Sequence, residues 1–243
     1  MTDIHCHILP GVDDGSENLE ESLAMAKMAA ASGIRQIVAT PHFPGTYASM
    51  EQLPLIIDRF QLLGHAIQRE DLPLTVYPGA EILYMPETAD LARQGKLPTI
   101  GKSSYLLIEF YFDEPLYDIE NALRELSRGG YRPVIAHPER YKAVQQHPQV
   151  PARWFSRGYV LQLNKGSLLG AFGNRVQNTA TGILESGLAH IIASDAHSSS
   201  HRTPHMTGLV NWLNDRCDPE YIRILLEENP RRLLQNREMV PIL

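Results

Sequence analysis

His5-Cys6-His7 lies almost at the start of the chain. In an extended segment side chains alternate, so both imidazoles fall on one face and Cys6 on the other, forming a two-pronged claw for a metal ion. A pair of solvated histidines is the alternative, because HxH is a short pattern. Asp195-Ala196-His197 repeats the spacing with a carboxylate and an imidazole. Between these two sites nearly every apolar run ends in a potential ligand. His42 follows Val38-Ala39-Thr40-Pro41, and Glu81 follows Tyr77-Pro78-Gly79-Ala80. Glu109 closes Leu106-Leu107-Ile108, His137 closes Val134-Ile135-Ala136, and one run ends instead in Asn164. Asp13-Asp14-Gly15 offers a further carboxylate or simply a turn, since Asp-Gly is a strong turn signal, and either aspartate could instead cap the following helix.

Imidazoles and carboxylates without thiolates suit manganese, iron or zinc better than a soft metal. So many donors imply more than one ion. Three divalent ions on Asp14, Glu81, Glu109, Asp195 and neutral histidines, with a bridging hydroxide, would carry a net charge of about +1. An anionic substrate is therefore expected. Arg140, in His137-Pro138-Glu139-Arg140, and Arg202, shortly after His197, are placed to clamp phosphate oxygens with guanidinium forks.

Such donors need a scaffold that gathers strand ends. Seven short apolar runs are read as strands: one at Ile4, then Arg35–Thr40, Leu74–Tyr77, Tyr105–Ile108, Pro133–Ala136, Tyr159–Leu163 and His190–Ala193. Their near-continuous apolar character fits parallel strands covered on both faces. Helical patterns separate them. The first is N-capped at Ser16, carries Glu17, Glu20 and Glu21 at its positive end and stops at Gly33. Others are expected over 51–70, 117–128, 150–157, 174–186 and 204–227. Repeated βα units imply an α/β fold, and seven of them suit a closed or distorted barrel whose C-terminal strand ends share one rim. With no linker or repeat in evidence, residues 1–243 are expected to form one domain.

Composition narrows the function. Of 243 residues, 43% are hydrophobic and 21% charged, which excludes disordered and collagen-like classes. The formal charge of −6, without basic blocks, gives no electrostatic grip on nucleic acid. No signal-like N-terminus and no long apolar run is present, so no membrane insertion and a cytoplasmic location are expected. Cys6 and Cys217 form no CxxC pair. Cys217 through Arg223 formally reads C-x5-R, but the stretch has two acids and no glycines to build a phosphate cradle.

The strings Asp3–Ser16, Gly79–Ile82, Leu107–Phe110, Ile135–Tyr141 and Ala193–His197 resemble the polymerase-and-histidinol-phosphatase (PHP) superfamily. They are most similar to its bacterial manganese-dependent protein-tyrosine-phosphatase branch, the capsule and exopolysaccharide regulators, over nearly the whole chain. The resemblance implies a distorted (β/α)7 barrel with three divalent ions, most often Mn2+. It implies that His5, His7, Glu81 and Asp195 hold one ion, that Glu109 and His137 complete a second with Glu81 shared, and that Asp14, His42 and His197 hold the third. The loop after His42 departs from the family pattern in lacking basic residues. The family also implies a partner, the tyrosine-rich tail of a bacterial tyrosine autokinase.

The expected reaction is hydrolysis of a phosphotyrosine monoester by a metal-bridging hydroxide, with Arg140 and Arg202 on the phosphoryl oxygens. His201 and His205 are nearby candidates for proton transfer. Tyr47, Tyr84, Phe110 and Tyr111 are candidates for lining the mouth, although aromatic residues beside strand ends more often serve packing. A small-molecule phosphomonoesterase of the histidinol-phosphatase type, and a non-catalytic PHP binding module, are the competing expectations.

Overall fold

In a computed structural model describing residues 1–241, strands and helices alternate almost throughout. The order is β1 (Thr2–Cys6), α1 (Leu19–Ala31), β2 (Gln36–Ala39), β3 (His42–Pro44), α2 (Leu53–Arg69), β4 (Thr75–Pro78), β5 (Glu81–Leu83) and α3 (Thr88–Arg93). It continues with β6 (Tyr105–Glu109), α4 (Leu116–Arg128), β7 (Arg132–Ala136), α5 (Lys142–Gln146), α6 (Val150–Ser156), β8 (Val160–Asn164) and α7 (Lys165–Leu168). Then come α8 (Asn174–Glu185), β9 (Ile191–Ala193), α9 (Thr207–Asn214), α10 (Pro219–Arg223) and α11 (Asn229–Leu234). All strand pairs are parallel, in two sheets ordered β1-β2-β4 and β3-β5-β6-β7-β8-β9, which makes the chain an α/β protein with parallel sheets.

Nine strands appear where seven are expected, because two short strands, β3 and β5, form just beyond the second and third runs after a break in the chain. Pro41 cannot donate to a ladder, and the preceding Thr40 turns to β1, its N–H donating to the Cys6 carbonyl at 3.0 Å. Beyond the break the chain re-pairs as β3 with β5, His42 opposite Glu81. The other break falls at Gly79, where a Cβ would lie 2.7 Å from Val38 Cγ1, so only glycine lets the chain pass β2. The two sheets also meet beyond β9. Cys6 bridges Ala196, the His7 N–H donates to the Ala196 carbonyl at 2.8 Å, and the Asp195 N–H donates to the His5 carbonyl at 2.9 Å.

Alternation along the strands sorts the core into two clusters. Leu106 and Ile108 join the larger cluster with the helix residues, whereas Leu107 joins Ile4, Val38, Val134, Val160 and Ile191, from six strands in all, in a second and smaller one. Truncating a fully buried leucine such as Leu106 to alanine costs about 2–5 kcal/mol. Burial also acts on His190, which accepts the Leu161 N–H on Nδ1 at 3.1 Å and stacks on Phe155; burial pushes its pKa down to about 4.

The helix boundaries bring two corrections. Asn18, not Ser16, caps α1, accepting the Glu21 N–H at 3.0 Å, while the buried Ser16 bonds Ser22. The helix expected over 204–227 is split into α9 and α10, because Asp218 precedes Pro219 and takes an extended backbone. Among the described residues no helix is long and apolar enough to cross a membrane.

Candidate metal centre

The strand ends converge, and with them all nine expected ligands. His7, Asp14, His42 and His197 form one group of donor atoms lying within 4.8 Å of one another. His5, His7 and Glu81 form another, as do His5, His137 and Asp195, and His42, Glu81 and Glu109. Glu81 stands at the centre, with an oxygen 3.2 Å from His5 Nε2, 3.3 Å from His7 Nε2, 3.1 Å from His42 Nδ1 and 2.9 Å from His137 Nε2. Glu109 lies 3.6 Å from His137, and Asp195 lies 3.4 Å from His5 and 3.7 Å from His197. Asp14, the exposed member, reaches His42 at 3.4 Å and His197 at 3.5 Å.

Orienting bonds fix which ring nitrogens face inward. Gln162 donates its amide to the Leu163 carbonyl and to Asn164 Oδ1, so its own Oε1 is left to accept from His5 Nδ1 at 2.9 Å. Asp13 Oδ2 accepts from His7 Nδ1 at 2.7 Å. Both histidines therefore turn Nε2 toward one point, 3.2 Å apart, beside Glu81 and Asp195 oxygens. Converging lone pairs and carboxylates require a positive charge there, supplied by protons in the metal-free protein or by a cation. His197 Nε2 points the same way: it is buried and has no hydrogen-bond partner. The donor set, nitrogen and oxygen without sulfur, fits divalent metal ions of the manganese, iron and zinc kind.

The electrostatics agree. Burial pulls His5 down, but Glu81 and Asp195 outweigh it and raise its pKa to about 9. Burial favours protonated Asp195, yet His5 and His7 hold it well below the usual carboxylate range. Glu81 is likewise held low against burial by His5 and His137. Glu109 moves upward, through burial and the Glu81 charge. His197 falls to about 4 through burial and the neighbouring His7 and Arg202 charges. A cluster this negative takes up protons when no metal competes for it.

The two arginines differ in how they are held. Arg202 Nη2 lies 2.6 Å from Asp195 Oδ2, whereas Arg140 Nη1 is 3.8 Å from the same oxygen. His137, Asp195 and Arg202 all have positive φ, at 34°, 50° and 47°, so three of the five such non-glycine residues described lie here. Strained backbone of this kind costs about 1–3 kcal/mol per residue and persists where surrounding structure enforces it. Beside the centre opens a cavity of about 680 Å³ lined by Asp14, Glu17, Glu20, His197, His201 and Arg202.

Other expected residues fall elsewhere. Tyr47 bonds Asp90 at the surface, Tyr84 bonds Glu125, and Phe110 is buried against Tyr84 and Tyr141. Tyr111 is exposed, with its hydroxyl on the Met85 sulfur. The rings nearest the arginines are Phe112 and Phe172, which carry no sequence signal. Gln162 does carry one, a polar residue inside an apolar strand. Asn164, the exceptional strand end, donates to Asp195 Oδ2 at 2.5 Å, and the buried Asp3 accepts from the Ser194 N–H and hydroxyl. Cys217 is half-buried with its pKa raised by burial, the opposite of a thiolate nucleophile.

Comparison with known proteins gives a consistent placement. Tyrosine-protein phosphatase YwqE of Bacillus subtilis (strain 168) is 36% identical over 239 residues, which cover 98% of this chain and 92% of that protein. Tyrosine-protein phosphatase CpsB of Streptococcus agalactiae serotype V is 30% identical over 242 residues, 97% and 99% of the two chains. A structure from the work on YwqE of Bacillus subtilis and CpsB of Streptococcus pneumoniae, described as unique metal-dependent tyrosine phosphatases, matches with a TM-score of 0.86 and 33% identity across the whole of both chains. The phosphotriesterase from Mycobacterium tuberculosis, at 14% identity and a TM-score of 0.62, shares the fold alone. The family described as capsular polysaccharide synthesis, CpsB/CapC, matches residues 1–235, and the chain belongs to that family.

Proposed function

We propose that the protein is a metal-dependent protein-tyrosine phosphatase. The observation that carries this is the convergence of nine imidazole and carboxylate donors beside two guanidinium groups. Three divalent ions, Mn2+ foremost with iron or zinc able to substitute, are held by His5, His7, Asp14, His42, Glu81, Glu109, His137, Asp195 and His197. When bound, the ions supply Lewis acidity and a nucleophile at neutral pH. The chain's own residues do the rest. Gln162 and Asp13 orient His5 and His7, and Arg140 and Arg202 grip the phosphoryl oxygens and offset their growing charge. A phenolate of pKa near 10 leaves with modest proton assistance.

In this reading β2/β3 and β4/β5 are single strands bent at Pro41 and Gly79, giving a distorted seven-stranded barrel over one domain, 1–243. The substrate is a phosphotyrosine protein, the tail of a tyrosine autokinase in capsule or exopolysaccharide synthesis, in the cytoplasm.

The test strips the protein with chelator, restores manganese, and compares a phosphotyrosine peptide with histidinol phosphate. Manganese-dependent turnover favouring the peptide is expected. A preference for histidinol phosphate would overturn the tyrosine assignment, and no turnover on either would overturn the enzyme reading.

A further inference from the structure

Arg140 lies with its guanidinium over two aromatic rings. Its guanidinium carbon lies 4.2 Å from the centre of the Phe112 ring and 4.6 Å from that of Phe172. Its nearest acid, Asp195, is 3.8 Å away, and among the described residues its guanidinium makes no hydrogen bond. Arg202 is the contrast, in a close ion pair with Asp195 Oδ2 at 2.6 Å and farther from Phe172, at 5.9 Å. Stacking on an aromatic face consumes none of a guanidinium's donors, because its N–H bonds lie in its own plane. A carboxylate partner would occupy donors and compete with an incoming anion.

Three successive strands build the arrangement. Phe112 follows β6, Arg140 follows β7, and Phe172 lies beyond β8 between α7 and α8. The Lys142 N–H donates to the Phe112 carbonyl at 2.7 Å, tying the Phe112 loop to the segment that carries Arg140. On the other side Gly166 makes room, since a Cβ there would lie 2.9 Å from Phe172 Cε2. Phe112 is 39% exposed, so its ring is not placed by core packing.

We propose that Phe112 and Phe172 are positioning residues that clamp the faces of Arg140 and leave its N–H edge free for phosphoryl oxygens. The inference rests on Arg140 being a phosphate-gripping residue, and the experiment separates the two. In the manganese-loaded full chain, the inhibition constant of inorganic phosphate and the KM for a phosphotyrosine peptide are measured for Phe112→Leu and Phe172→Leu, with thermal unfolding as a check on folding. Each is expected to weaken phosphate and raise KM by about 2- to 30-fold, the range of a cation–π contact. Phe112→Tyr and Phe172→Tyr are expected to restore both. In an Arg140→Ala background the leucine substitutions are expected to add almost nothing. Equal effects with and without Arg140, or leucine variants within about twofold of the parent, would overturn the clamp. An Arg140→Ala variant with unchanged phosphate inhibition would overturn the reading of Arg140 itself.

Discussion

Asp13 offers the sharpest test of how the centre is organised, because it touches a proposed ligand without being one. Its Oδ2 accepts from His7 Nδ1 at 2.7 Å and from the His42 N–H at 2.9 Å, and its Oδ1 accepts the Gly15 N–H at 3.0 Å. Against the upward pull of burial, these bonds bring its pKa down to about 2, so it stays charged. Asp13→Ala removes all three acceptors. Losing the partner behind a ligating imidazole lowers metal affinity about 10- to 100-fold, or about 1.4–2.8 kcal/mol. The orphaned N–H groups cost a further ~1–3 kcal/mol each in stability where water cannot replace the acceptor. Asp13→Asn is gentler. Turning its oxygen to His7 and His42 leaves only the Gly15 N–H facing an amide, and the His7 proton stays on Nδ1. Manganese titrated calorimetrically into chelator-stripped protein, with unfolding midpoints alongside, should rank the parent above Asn and Asn above Ala. A folded Asp13→Ala variant binding manganese within about twofold of the parent would refute Asp13 as the orienter of His7.

Most of the proposed ligands are legible as polar residues at or just past the end of an apolar run, where a plain core would place none; Asp14, in the loop after β1, is not. All four of His5, Glu81, His137 and Asp195 are buried; His5 is the penultimate residue of β1, and His137 and Asp195 follow β7 and β9, whereas Glu81 opens β5. The breaks at Pro41 and Gly79 were harder to see. Both lie just past the runs read as strands, Arg35–Thr40 and Leu74–Tyr77, and the deciding contacts, Thr40 with Cys6 and Gly79 with Val38, join residues far apart in sequence. Gln162 was visible only as an oddity in β8, since its purpose depends on His5 lying across the sheet. Phe112 and Phe172 left no trace. A stacked ring has no spacing rule, and which ring meets Arg140 depends on how the loops after β6 and β8 fold back.

The remaining tests use chemistry, metal and pH. Cys217→Ser should leave manganese-dependent activity intact, and its loss in a folded variant would return attention to cysteine chemistry. Gln162→Leu removes the acceptor for His5 Nδ1 and should weaken manganese about 10- to 100-fold; unchanged affinity would mean His5 is held by other contacts. Manganese at about 100 times its dissociation constant should add about 2.7 kcal/mol of stability, raising the unfolding midpoint by roughly 5–10 °C, reversibly with chelator; no shift would deny binding to the folded state. Away from the centre, His190 has a folded pKa of about 4 against an unfolded value near 6.5. The unfolded chain thus binds this proton first, and the contribution of a neutral His190, complete above about pH 6.5, is lost as pH falls toward 4. His190→Asn keeps an acceptor for the Leu161 N–H but cannot titrate. In chelator, the stability advantage of the parent over this variant should shrink by about 2 kcal/mol between pH 7 and pH 5, and parallel denaturation curves would show that burial does not hold His190 neutral.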